Sequence, residues 1–207
     1  MALLGDRRTP ASVHLVRARE AERVSETGAV GSVQEAEVTL PGSGLERIWS
    51  PPYLERLGRA YWRHLNRATL GLIRVVYAED SRTVVLLSRR LGLLRFHAPE
   101  YQAAADHGCV TWRIERGLLV AADGRDNGFL RIRVERRPGR ERPGAQQWVR
   151  VRLEVRNFYP WLRGSGRFAR FGAWLYGQTQ LRIHVFVGNS FLRSLAQLDL
   201  PPSRVGA

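Results

Sequence analysis

Residues Trp148–Arg156 place Val149, Val151, Leu153 and Val155 on one side of an extended chain, and Arg150, Arg152, Glu154 and Arg156 on the other. Successive side chains of a strand point to opposite faces, so this alternation predicts a strand with one dry face and one wet face. Such a strand belongs to an antiparallel sheet, and its dry face must be covered by another layer. The chain therefore has to supply both partner strands and a covering element.

Partner strands are easy to find. Val33–Leu40 alternates and is closed by Pro41-Gly42. From Leu70 the period of two returns. Leu70–Tyr77, Thr83–Leu87, Leu93–Ala98, Cys109–Glu115 and the short Leu118–Ala121 read as strands, and Phe129–Arg136 sets Leu130, Ile132 and Val134 against Arg131, Arg133 and Glu135. Asp126-Asn127-Gly128 supplies a tight turn before that last strand, because Asn-Gly tolerates positive φ.

Two stretches have helical period. Pro52–Arg67 begins after Ser50 with prolines where a first turn tolerates them. Leu54, Leu57, Tyr61 and Leu65 share its apolar face, and Arg56, Arg59, Arg63 and Arg67 lie mostly away from it. The second is the long run from Tyr159 to Leu198. Phe168, Phe171, Leu175, Gln178, Leu181, Val185, Gly188, Leu192 and Leu195 step by three or four, which favours helix; the β-branched Ile183–Val187 also fits a strand. Residues 1–32 are polar and aperiodic and read as a mobile N-terminal tail, 33–200 as one domain, and 201–207 as a C-terminal tail after Pro201-Pro202.

Composition bounds the function. Basic residues number 33 against 19 acidic, giving a net charge of +14, and all the basic residues are arginine. They are spread along the chain and interleaved with acids, which fits a solvated sheet face; nucleic-acid binding through that arginine surface is the alternative. The single cysteine, Cys109, excludes an intramolecular disulfide and a cysteine-based zinc site. No apolar run approaches the length of a membrane span, and no signal-peptide core is present, so a cytoplasmic protein is expected.

The order strand, helix, meander, long helix resembles the helix-grip superfamily of START-like and polyketide-cyclase-like (SRPBCC) domains. Glu37-Val38-Thr39-Leu40-Pro41 with Leu45-Glu46-Arg47-Ile48-Trp49 is similar to its first strand, turn and first helix. Trp148–Val155 followed by the C-terminal run is similar to its last strand and gripped helix. The resemblance implies an α+β fold, a curved antiparallel sheet of about six to seven strands wrapped around a long C-terminal helix. It also implies a cavity between them that binds a hydrophobic small molecule such as a lipid, polyketide or isoprenoid. The long arginine-rich helix Pro52–Arg67 departs from the family pattern.

Within that frame the candidate ligand-lining residues are Leu94, Phe96, Val110, Trp112, Ile114, Leu130, Ile132, Phe171, Leu175 and Gln178, with His97, Tyr101 and His184 as polar candidates. His97 and His184 would serve acid–base chemistry if both reached the cavity, which keeps a cyclase or hydrolase as a third reading. No cofactor is expected. Gly164-Ser165-Gly166-Arg167-Phe168-Ala169 matches a dinucleotide pattern, but it lies several residues and a proline beyond the preceding strand, with no acidic residue at the ribose spacing. No metal is expected either: Asp123, Asp126 and Asn127 lack calcium-loop spacing.

Overall fold

A computed structural model of the chain describes residues 12–16, 23–24, 29–41, 50–87, 92–117, 120, 125–137, 146–158 and 185–195. Among these residues the elements are β1 (Ser12–Val16), β2 (Arg23–Val24), β3 (Ala29–Pro41), helix α1 (Pro51–Ala68), β4 (Ile73–Tyr77), β5 (Ser81–Leu86), β6 (Gly92–His97), β7 (Glu100–Ala103), β8 (His107–Arg116), β9 (Phe129–Arg136) and β10 (Gln146–Phe158). A second helix, α2, covers 185–194.

All strands join one antiparallel sheet in the order β1-β3-β10-β9-β8-β6-β5-β4, with β2 on β3 and β7 on β8. The strand before α1 thus pairs with the last strand, and everything between them forms a meander. Register carries the sequence alternation straight into burial. Val149 lies opposite Val38, Val151 opposite Ala36 and Val134, and Leu153 opposite Ile132. All seven are at most 4% exposed. The opposite face carries the charge. Arg150 reaches Glu35 and Glu37 at 3.7 and 3.6 Å, Arg152 reaches Glu35 at 3.5 Å, and Arg113 reaches Glu100 at 2.7 Å. Arg131 Nε donates to Thr111 Oγ1 at 3.0 Å. Arginine on this face is therefore largely matched across strands rather than left as a bare cationic sheet.

Helix α1 forms as its sequence dictates. Pro51 and Pro52 occupy the first turn, where a missing N–H costs nothing, and the Ser50 carbonyl accepts from Tyr53 N and Leu54 N at 3.0 and 3.1 Å. Its C-terminus is tied by side chains: Thr69 Oγ1 donates to Leu65 O at 2.8 Å, and Asn66 Nδ2 donates to Ile73 O at 2.9 Å. Leu54, Leu57, Gly58, Tyr61 and Trp62 are buried against the sheet. A Cβ on Gly58 would lie 2.6 Å from Trp112 Cζ2, and one on Gly108 would lie 3.0 Å from Leu54 Cδ2. Two missing side chains therefore let α1 lie directly on β8.

Helix α2 covers the other half of the same face. Val187, Phe191, Leu192 and Leu195 are buried, and a Cβ on Gly188 would meet Gln34 Oε1 at 2.6 Å and Leu153 Cδ2 at 3.0 Å. The two helices touch where the Tyr61 ring meets the Phe191 ring edge-on at 5.3 Å.

Several expectations are corrected. Among the described residues the sheet has ten strands rather than about six to seven. Strand β7 follows Pro99 and carries only Tyr101 as a large apolar residue, too short a pattern to read. The sheet also extends into the stretch read as a tail: β1 pairs along β3, with Val13 and Leu15 packed on the core, and β3 itself begins at Ala29. Leu118–Ala121 is reduced, among the described residues, to an isolated bridge at Val120. The described C-terminal helix is short. Residues 159–184, most of the expected long helix, lie outside the described residues, as do Leu45–Trp49; residues 185–187 are helical, as the spacing by three or four favours, rather than the alternative strand.

The close approach at Gly58 makes a prediction. An alanine in a helix interior normally stabilises by about 1 kcal/mol over glycine. Here the added methyl meets a Trp112 ring held between helix and sheet, and overpacking costs about 1–3 kcal/mol. Gly58→Ala is expected to lower the urea midpoint; a midpoint equal to or above the parent's would mean that α1 does not rest on Trp112.

Candidate functional site

The inner face of the sheet brings together most of the residues singled out from sequence. Phe96 lies opposite Ile114, Trp112 opposite Leu130, and Val110 opposite Ile132. With Leu94 they form one buried patch across β6, β8 and β9. Phe171, Leu175, Gln178 and His184 lie outside the described residues. His97 faces the other side of β6. It is exposed, with Nε2 2.8 Å from Asp126 Oδ1 on the turn before β9. Asp126 adopts φ +60° there, and its N–H donates to Ile114 O at 2.9 Å.

The patch is completed from α1 by Tyr61, expected on its apolar face, and by Trp62, which sequence reasoning passed over. Trp62 stands between its two aromatic neighbours, with ring centroids 5.3 Å from Trp112 and 5.6 Å from Phe96. Tyr61 packs at 5.0 Å from Trp62. Edge-on and tilted contacts of this kind suit the ring quadrupoles and add to the burial itself. Trp62 is 4% exposed, and among the described residues its buried indole Nε1 has no hydrogen-bond partner. A buried donor left unmade costs about 1–3 kcal/mol, so its position calls for an acceptor. Burial also drives the Tyr61 phenol far above its ordinary pKa, so it stays neutral.

A polar rim lies one and two turns earlier on the same stripe of α1. Glu55, Arg59 and Trp62 follow one another by four and three residues, the spacing of one helix face. Arg59 is 3.4 Å from Glu55, and its guanidinium sits 5.8 Å from the Tyr77 ring centroid. From the sheet, Arg82 approaches the same ring at 5.0 Å and donates to the backbone carbonyls of Ala78 and Ser81. Tyr77 and Arg82 are register partners at the inner face of β4 and β5. Tyr101 belongs to this group: burial first, and then the nearby Glu55 carboxylate, push its phenol up to about 12. The rim thus offers guanidinium and phenol donors at the edge of an aromatic, apolar interior.

The third feature joins the helices. His64 Nε2 lies 2.7 Å from Ser190 Oγ, and Ser190 Oγ donates to Val187 O at 3.1 Å. Burial, followed by the Arg67 charge, lowers the pKa of His64. A hydroxyl beside a neutral imidazole is a proton-transfer pair in form. Its described neighbours are Phe191, 6.0 Å from the His64 ring, and the carbonyl of Val187. The pair spans 126 residues, so no local pattern reveals it. Trp62 was findable, because the Glu55-Arg59-Trp62 spacing marks a second helical stripe beside the leucines.

No protein-family model matches the chain, and no curated protein matches it. Three solved structures align over most of its length. A protein from Arthrobacter aurescens, solved by solution NMR, is 11% identical over 86% of this chain and 91% of its own, with a TM-score of 0.36. A protein from Rhizobium leguminosarum is 11% identical over 82% of this chain and 99% of its own, at 0.32. Human STARD10 is 7% identical over 84% of this chain and 72% of its own, at 0.25. Among the described residues no helix is long and apolar enough to cross a membrane.

The lowered His64 pKa sets a sign for stability against pH. The unfolded chain takes up this proton first as the pH falls, so the folded state loses stability below the ordinary histidine range. Between roughly pH 7 and 5, the urea midpoint of the parent is expected to fall more steeply than that of His64→Gln. Parallel curves for the two proteins would remove His64 as the cause.

Proposed function

We propose that the chain is a START-like helix-grip domain that binds a hydrophobic small molecule between the sheet and its helices. The reading draws on the pairing of β3 with β10 around a meander, and on α2 following β10 onto the inner face beside Gln34 and Leu153. The observation that carries it is the buried Trp62 Nε1, without a hydrogen-bond partner among the described residues, beside the rings of Trp112 and Phe96. Apolar sites with a few convergent polar groups are how proteins hold lipid-like molecules in one orientation. A carbonyl, hydroxyl or carboxylate oxygen on the ligand would accept from the indole.

Contact between α1 and β8 at Gly58 and Gly108 leaves no room beneath the first half of the helix. The ligand therefore belongs on the Trp62 and Phe96 side, with the Arg59, Arg82, Tyr77 and Tyr101 donors at its outer end. That favours an amphipathic molecule, an apolar body with one oxygen-rich end, over a pure hydrocarbon. The reading assigns no reaction to the site.

Native mass spectrometry of the purified chain is expected to show an added small-molecule mass that denaturing conditions release. Calorimetric titration with oleate as probe is expected to give binding that Trp62→Phe weakens about three- to tenfold, the loss of one hydrogen bond. A bare-chain mass together with no heat on oleate addition would sink the reading.

A further inference from the structure

The turn between α1 and β4 and the end of β5 meet at one tip of the sheet. Leu87 N donates to Leu72 O at 2.8 Å, which closes the β4–β5 ladder at the end opposite the 78–80 turn. Three leucines cluster around this bond, and all are exposed: Leu70 at 91%, Leu72 at 47% and Leu87 at 61%. None of the three belongs to the hydrophobic core of the described residues or packs against it. Leu70 and Leu87 both sit in the left-handed region, at φ +51° and +57°, where a branched apolar side chain is disfavoured and glycine or asparagine fits best.

The tip is not slack. Leu70 N donates to Arg67 O at 3.0 Å, Gly71 N to Asn66 O at 2.8 Å, and Leu72 N to Thr69 O at 2.9 Å. Thr69 Oγ1 accepts from Ile73 N at 3.2 Å, and Arg74 Nε donates to Gly71 O at 3.1 Å. A firmly bonded turn presents leucines to solvent in a backbone conformation that leucine does not favour. Strain of this kind, held by its surroundings, points to use.

The charge around the tip is of one sign. Arg67 and Arg74 flank it and are exposed, and Arg63 is exposed one helical turn further back. None of the three has a carboxylate partner among the ion pairs of the described residues. No acidic residue occurs between Glu55 and Glu79, or between Asp80 and Glu100. Glu79 and Asp80 lie at the far end of the β4–β5 hairpin. On the outer face of β6, β8, β9 and β10, by contrast, Arg95, Arg113, Arg133, Arg150, Arg152 and Arg156 each lie within reach of a glutamate.

We propose that this leucine tip, collared by Arg63, Arg67 and Arg74, is a docking surface for the anionic face of a lipid bilayer. Projecting leucines insert at the level of the acyl–headgroup boundary, and the arginines meet lipid phosphates above it. Nucleic acid fits the tip poorly, since leucine offers no stacking surface for bases. The proposal is independent of the ligand site between α1 and the sheet.

The test is flotation of the full chain with vesicles of phosphatidylcholine, with and without phosphatidylglycerol. Binding is expected only with phosphatidylglycerol and is expected to weaken as salt rises. The triple variant Leu70→Asn, Leu72→Ser, Leu87→Asn is expected to lose binding by about tenfold or more, while its thermal unfolding followed by circular dichroism is unchanged or shifted upward. Arg67→Glu with Arg74→Glu is expected to abolish the preference for phosphatidylglycerol. The proposal is overturned if the parent fails to float with phosphatidylglycerol at low salt, or if the folded leucine variant floats as well as the parent. It is equally overturned if the leucine variant converts a dimer to a monomer in sedimentation velocity, which would make the tip a contact between two copies.

Discussion

Everything in this fold hangs on one strand being paired on both edges. β10 bonds to β3 along one side from Gln146 to Phe158, and to β9 along the other from Val149 to Arg156. Its alternation is strict, so a slip of one residue would turn Val149, Val151, Leu153 and Val155 outward and bury three arginines and a glutamate. The outer pairs, such as Arg150 with Glu35 and Glu37, are partly exposed and each contributes little by itself. The inner face therefore sets the register, and the charge ladder follows from it. Because β3 lies at β10's other edge, Gln34 and Leu153 form a floor on which α2 sits with a glycine toward them.

The same economy of side chains shapes the other half. Gly58 on α1 and Gly108 on β8 remove the bulk that normally separates a helix from a sheet. Contact at these two positions leaves the aromatic residues beside them as the thick part of the layer. Trp62, Trp112, Phe96, Tyr61 and Phe191 form a continuous run of ring contacts from β6 to α2. Among the described residues, Trp62 Nε1 lacks a partner in this surround, which makes it stand out far more than it would in a polar one.

What was legible in the sequence is what local periodicity encodes. Phe129–Arg136 was read with its true bounds, and the apolar stripe of α1 and the Gly188, Leu192 and Leu195 steps of α2 match the buried positions. The α+β class and the antiparallel meander followed from alternation alone. What was missed depends on partners distant in the chain. Ser12–Val16 is only five residues long, too short for alternation to mark it, and becomes a strand because β3 offers it an edge. Trp62 is the exception: its spacing from Glu55 and Arg59 is local, but one apolar stripe already explained the helix. The meeting of His64 with Ser190, and of Arg59 with Arg82 across Tyr77, exists only after the sheet has formed. Of the candidate site, the residues on β6, β8 and β9 do converge, because strand parity fixes the face on which they lie.

The pairing of β3 with β10 also has a cost in time. During synthesis β3 emerges early, and more than a hundred residues separate Pro41 from its partner Gln146. Until β10 leaves the ribosome, β3 has one edge open, and the inner face of the meander from β4 to β9 has no last strand and no α2 over it. Such an intermediate exposes unpaired strand edges and apolar surface together, the combination that draws nascent chains into aggregates or onto chaperones. Placing the keystone strand near the end of the fold makes closure of the sheet a late, all-or-none event in the life of each molecule.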